Sequence, residues 1–275
     1  MARGKEILSA SWQMLRQDRH LLWLPVISTG AGILAAAVFF LPAFALSRAV
    51  WHDGQVGFYI GGVLAAFALS IVTIYFQAAL VIGAYARADG HTPTLGGVLR
   101  ETWTLRRQVL GWAVVTTVVG AVLRAVEERL SIVGKLLGLL AGITWAIASF
   151  LAVPVLVAER LGPIAAVKRS SQLLRQIWGT GLRTTVRFGI VTVLIGLAAL
   201  GLGITAVVMA FSAGPAFGIA AAVVVCVAMI LIGSILSAVF SYAQALIYRY
   251  ATGRPVPGVA PVMLAAAFAK KRRWR

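Results

Sequence analysis

The residues able to do chemistry are few. In 275 residues there are eight carboxylates, three histidines and one cysteine. The carboxylates are Glu6, Asp18, Asp53, Asp89, Glu101, Glu127, Glu128 and Glu159, and no two stand in a context suited to general acid–base work. His20, His52 and His91 are isolated from one another, and Cys226 sits inside an apolar run. Neither metal-ligand spacing nor an intrachain disulfide is therefore available. No glycine-rich phosphate loop or nucleophile elbow occurs. The expectation is a protein that is not an enzyme and carries no metal or cofactor.

The elements that hold these residues explain their scarcity. The chain is 60% hydrophobic and 12% charged, with a mean hydropathy of +0.92. Soluble domains carry about 25% charged residues, so the composition belongs to the membrane class. Six apolar spans follow one another, at about 21–46, 57–86, 109–126, 132–158, 184–211 and 215–248. Each is long enough to cross about 30 Å of hydrocarbon as a helix, with tilt for the longer ones. They are continuously apolar rather than alternating, which excludes barrel strands. The first is too long for a signal-peptide core and lacks a convincing cleavage site, so it is expected to be retained.

All eight acidic residues fall at or beyond span ends. Coupled carriers keep costly embedded carboxylates for function, so this distribution points away from a coupled transporter. The formal charge of +17 is equally ordered. Of the 25 basic residues, 21 lie in the N-terminal segment, the second and fourth connections and the tail. Arg48, Arg124, Arg129 and Lys135 lie on the other side. By the positive-inside rule both termini are expected in the cytoplasm of a bacterial inner membrane. The charge marks a membrane face, and no nucleic-acid partner is expected.

One basic phrase is written twice. SWQMLRQ at 11–17 and SSQLLRQ at 170–176 share five of seven letters. Residues 5–19, 94–108 and 164–178 each read as an amphipathic helix with tryptophan and arginine, suited to the interface plane. The apolar stripes expected are Leu8, Trp12 and Leu15; Leu95, Val98, Leu99, Thr102 and Trp103; and Ile164, Val167, Ser171, Leu174 and Trp178. Thr92-Pro93 and Gly162-Pro163 open the second and third helices, and Gly179 closes the third. Each helix precedes two spans. The fold class is thus all-α: a polytopic membrane protein with six transmembrane helices and about three cytoplasmic interfacial helices. Residues 1–253 form the membrane domain, with units at about 5–86, 94–157 and 163–248 that read as three copies of one design. Residues 254–275 form a basic tail.

Three further features carry expectations. Gly134, Gly138 and Gly142, and Gly214 with Gly218, have the spacing that lets helices approach closely. Packing inside the chain is favoured over a homodimer seam. Gln77 with Tyr75, and Gln244 with Tyr242, are placed to make interhelical hydrogen bonds. Pro154 should kink the fourth span, and Glu159 should pair with Arg160, Lys168 or Arg169. Arg16, Arg19, Arg106, Arg107, Lys168, Arg169 and Arg175 are candidate contacts for lipid headgroups, with tryptophans 12, 103 and 178 as anchors.

The stretches SWQMLRQDRHLLWLPVIS, VPVLVAERLGPIAAVKRSSQLLRQIWG and YRYATG resemble a bacterial family of uncharacterised six-helix integral membrane proteins. More distantly, the layout is similar to the membrane domain of membrane-anchored glycerophosphodiester phosphodiesterases. The resemblance implies a fold and a membrane location and no activity, because the phosphodiesterase's catalytic domain has no counterpart here. After Trp178-Gly179 the family's pattern implies an acidic residue, and Thr180 stands instead. The expected role is structural, in assembly or in lipid interaction, with anionic phospholipids, other membrane proteins or a second copy as partners. A carrier or channel is the alternative, and a membrane enzyme comes third.

The orientation has a direct test. In a Cys226→Ala background, single cysteines at Asp53 and Ala213 should react with an impermeant thiol reagent from outside the cell. A cysteine at Asp89 should not react, and the opposite pattern would reverse the assignment.

Overall fold

The computed structural model describes residues 11–51, 54–129, 132–177 and 181–255. Residues 11–17 are helical (α1) and a 3-10 turn covers Arg19–Leu22. The long elements are α2 (Trp23–Trp51), α3 (Gly54–Ala88), α5 (Arg106–Arg129), α6 (Ile132–Ala148), α9 (Gly181–Ala213) and α10 (Pro215–Ala251). Short helices α4 (Leu95–Thr104), α7 (Ala152–Glu159) and α8 (Pro163–Ile177) complete the order. No strand occurs among the described residues. Six helical stretches are long and apolar enough to cross a membrane, α6 and α7 together supplying the fourth.

Local chemistry sets the boundaries. Thr94 caps α4, its hydroxyl accepting from the Gly97 amide at 3.2 Å, so the cap lies two residues beyond the expected Thr92. α4 stops at Thr104, and Arg106 and Arg107 open the third span instead of closing the short helix. α8 starts at Pro163 as expected. Gly214, at φ +143, makes the turn into α10, where Pro215 stands in the first turn.

Three helix hairpins, α2–α3, α5–α6 and α9–α10, share one core, and that core sits at one end. It is built from residues 78–84 of α3, 151–157 of α7 and 241–248 of α10. The lead helices α1, α4 and α8 close over it with Leu15, Val98, Ala166 and Leu173. Many of its members are alanines with no exposed surface, among them Ala78, Ala79, Ala152, Ala166 and Ala245. Small side chains bring backbones close where lipid offers no hydrophobic drive between helices.

Away from this lead-helix end, contacts run mainly within hairpins. Phe40 of α2 meets Phe58 of α3 edge-on at 5.8 Å, and Gly61 lies under the Phe40 carbonyl. Between hairpins, the Thr117 hydroxyl of α5 donates to Ser70 of α3 at 3.5 Å. Leu34, Phe58, Leu202 and Val224 face outward, an arrangement that is costly in water and free in hydrocarbon.

The expected glycine surfaces divide. A Cβ on Gly138 would stand 2.6 Å from Glu127 Cγ, and Gly218 is pressed against the Phe211 ring, so both are close approaches inside their own hairpins. Gly134 is buried. Gly142 has nothing within 4 Å, and Gly214 serves the turn, so neither is a close helix approach within the chain. The tightest glycine of the shared core was not expected. A Cβ at Gly83 would meet Leu21 Cδ1 at 2.8 Å, the Tyr242 hydroxyl at 3.6 Å and Val98 at 3.8 Å.

Gly83→Leu should therefore destabilise the protein by about 1–3 kcal/mol, as overpacked cores do. Gly30→Leu, at a position with nothing within 4 Å, should leave the thermal transition in detergent unchanged. Equal Tm values for the two variants would contradict a single core at the lead-helix end.

Candidate functional site

The polar residues gather at the lead-helix end, and their first task is to repair a broken helix. The fourth span is interrupted at 149–151, just ahead of Pro154. A proline has no amide hydrogen, and its ring excludes the carbonyl four residues earlier. That carbonyl belongs to Phe150, and it accepts from Gln244 Nε2 at 2.7 Å. Gln77 Nε2 donates in turn to Gln244 Oε1 at 3.1 Å. The freed Leu151 amide donates to the Ser170 hydroxyl at 3.0 Å, and Tyr85 donates to the Pro154 carbonyl at 3.2 Å. The interhelical role expected of Gln77 and Gln244 is thus present, and their target is the broken backbone.

Ion pairs surround this break. Arg87 holds Asp18 through both carboxylate oxygens, Nε donating to Oδ2 at 2.8 Å, and the Asp18 side chain is fully enclosed. Arg169 Nε donates to Glu159 Oε1 at 3.0 Å, and the Tyr248 hydroxyl donates to the same oxygen at 3.0 Å. Of the three partners proposed for Glu159, Arg169 makes the bond. Arg169 is thereby engaged with Glu159 through Nε, and its side chain remains 37% exposed. Arg249 donates to Asp89 Oδ1 at 2.7 Å and to the Pro255 carbonyl at 3.0 Å. These pairs join the first and third hairpins and anchor α8 to the end of the fourth span.

The repeated phrase is placed the same way twice. Ser11, Met14 and Leu15 are buried, as are their counterparts Ser170, Leu173 and Leu174. Gln13, Arg16 and Gln17 face outward, as do Gln172, Arg175 and Gln176. The middle unit fits this pattern in part in the register Thr102-Trp103-Thr104-Leu105-Arg106-Arg107-Gln108: Thr102 and Leu105 are buried, but Arg106, in the place of buried Leu15 and Leu174, is exposed. The expected stripes hold in part: Leu15, Val98, Thr102 and Leu174 are buried. Trp12, Trp103 and Ile164 are 38%, 61% and 77% exposed, and Ser11, Ala166 and Ser170, outside the stripes, are buried as well. A second recurrence closes the return spans. Ala88-Asp89-Gly90, Ala158-Glu159-Arg160 and Ala251-Thr252-Gly253 each end in a left-handed residue, with φ of 83, 52 and 71.

The remaining cations point outward. Arg16, Arg106, Arg107, Lys168 and Arg175 are exposed. Arg16 lies over Trp12 at 5.8 Å and Arg106 over Trp103 at 5.9 Å, paired cation and ring at the chain's surface. Between α6 and α8 a cleft of about 210 Å³ is lined by Thr144, Ile147, Ala148, Ser171, Leu174 and Arg175. The side chain of Arg19, and residues 178–180 with the expected anchor Trp178, lie outside the described residues.

These features define a class: an all-helical, multi-pass membrane protein with a charge-laced, arginine-rich end. The chain belongs to a family of unknown function (DUF6159), whose match covers residues 58–256, well over half of its length. No curated protein and no solved structure matches it. A link to the membrane domain of glycerophosphodiester phosphodiesterases is not shown.

The repair of the break predicts an asymmetry. Gln244→Leu strips the Phe150 carbonyl and Gln77 of a partner and should cost about 1–3 kcal/mol. Gln77→Leu leaves the Phe150 bond in place and should cost about 1 kcal/mol or less. Denaturation in mixed micelles reads both, and equal losses would show that the Phe150 bond contributes nothing beyond the glutamine pair.

Proposed function

We propose that the protein is a lipid-interacting component of a bacterial cytoplasmic membrane, with both termini cytoplasmic, whose lead-helix end gathers anionic phospholipid. The observation that carries this reading is the cleft between α6 and α8. Its walls are amphipathic: Arg175 and Ser171 offer a cation and a hydroxyl, while Ile147, Ala148 and Leu174 offer an apolar floor. Lys168 lies one and two turns from Ser171 and Arg175 along the same helix face. A phosphate at Arg175 and Lys168 with an acyl chain along α6 matches that division.

Charge distribution supports it. Three of the described acids, Asp18, Asp89 and Glu159, are bound to Arg87, Arg249 and Arg169, and Arg16, Arg106, Arg107, Lys168 and Arg175 are exposed to act on the leaflet. Each cation near an anionic surface contributes about 1 kcal/mol, within a screening length of about 8 Å at physiological salt. The carrier reading has less support. Leu80, Val81, Leu151, Leu156 and Tyr242 form a fully buried layer across the lead-helix end. A solid layer there favours an anchoring or assembly role, with lipids and neighbouring membrane proteins as partners.

Lys168→Gln with Arg175→Gln removes charge and keeps helix-forming side chains of similar length. Native mass spectrometry should show fewer retained phosphatidylglycerol or cardiolipin molecules, with unchanged cysteine labelling. Full lipid retention with intact topology would reduce these residues to orientation signals.

A further inference from the structure

A second groove, on other helices, has the opposite chemistry. About 530 Å³ in volume, it runs between α2, α3 and α10, and none of its lining residues is charged. Its polar side chains are Ser28, Thr29, Thr73, Gln77, Ser234, Ser237 and Ser241. The three serines, at i, i+3 and i+7, share one face of α10 over about 10 Å of helix. Hydroxyls within spans usually bond back to their own helix. Thr29 does so to Pro25 and Ser241 to Ser237, both at 2.9 Å. Ser234 does not. The residue is 5% exposed, and its Oγ is enclosed with no hydrogen-bond partner among the described residues. A buried hydroxyl without a partner is held at a cost, which a ligand's hydrogen bond would remove once χ1 rotation turns Oγ into the groove that Ser234 lines.

We infer that this groove binds a neutral lipid bearing a free hydroxyl, of the diacylglycerol type. Its polar end lies along the serine row, and its chains leave past Ile33 and Leu69, which face the bilayer. The uncharged lining decides against a phosphate headgroup, whose charge would be desolvated without a counterion. The groove lies within the range of about 300–1,000 Å³ common for small-molecule sites. The inference stands apart from the anionic-lipid reading, because it uses none of the basic residues.

The test places the full-length chain in phosphatidylcholine nanodiscs with a diacylglycerol carrying a photoreactive diazirine in one acyl chain. Adducts mapped by mass spectrometry should concentrate at residues 69–80 and 229–241. Unlabelled diacylglycerol should compete, and phosphatidylglycerol should not. Ser234→Ala should weaken the apparent affinity about three- to ten-fold, the effect of one lost hydrogen bond. It should not lower the Tm of the lipid-free protein, since the hydroxyl has no partner to lose. Gly233→Leu, whose Cβ would meet nothing within 4 Å, should fill the groove and abolish site-specific labelling. Lys168→Gln with Arg175→Gln should leave labelling intact, which separates this site from the basic one. Three results would overturn the inference. These are adducts spread evenly over lipid-facing helices in all variants, equal competition by phosphatidylglycerol, and a chain-to-chain crosslink from a photoreactive residue at Ser237, which would make a second copy the occupant.

Discussion

Hydrocarbon offers no hydrogen bonds, so every backbone group inside the bilayer must find its partner within the protein. Five spans meet that demand by continuous helix, save at Pro42 inside α2, which supplies no amide to the Val38 carbonyl. The fourth does not, and much of the polar chemistry answers the interruption at 149–151. Gln244 reaches the Phe150 carbonyl from α10, Gln77 orients Gln244 from α3, and Ser170 receives the Leu151 amide from α8. One broken turn therefore fixes the relative positions of all three hairpins. Replacing Pro154 alone would not remove the dependence, since these side chains would then be the groups without partners.

Charge is partitioned on the same plan. Asp18, Asp89 and Glu159 pair with arginines that close the bundle, and other cations face outward beside exposed tryptophans. Enclosed ion pairs contribute little net stability and are costly to break singly. Their value here is positional: Asp18–Arg87 fixes the lead segment on α3, and Asp89–Arg249 ties the ends of α3 and α10 together. Arg160 adds a local tension. It adopts a left-handed φ of 52 where the other two units use glycine, and such a conformation costs a side-chain-bearing residue about 1–2 kcal/mol.

The six spans were legible because apolar length is a strong signal, and the glutamines were legible because an amide inside hydrocarbon demands a partner. The orientation of the lead helices was legible only in part. Leu15, Val98, Thr102 and Leu174 of the apolar stripes are buried, but Ile164 is exposed, while Ser11 and Ala166, outside the stripes, are buried. Close packing in lipid rewards small side chains, and a large apolar group loses nothing by facing the bilayer. The register of the middle unit was obscured for the same reason, since the equivalence of Thr102 to Ser11 lies in size rather than letter. Gly142 and Gly214 had the right spacing, but spacing does not reveal which face of a helix has a neighbour. The serine row of α10 was hidden within a span that reads as continuously apolar.

A core confined to one end has a mechanical consequence. α10 has 37 residues, about 55 Å of helix, against a hydrocarbon layer of about 30 Å. Bilayers differ in thickness by several ångströms, and long helices adapt by tilting at a cost of fractions of a kcal/mol per ångström. With the three hairpins joined at their lead-helix ends and packed mainly within themselves elsewhere, each can lean independently about a fixed root. Variation in membrane thickness is then absorbed as splay between hairpins, while the ion pairs and the mended break keep their geometry.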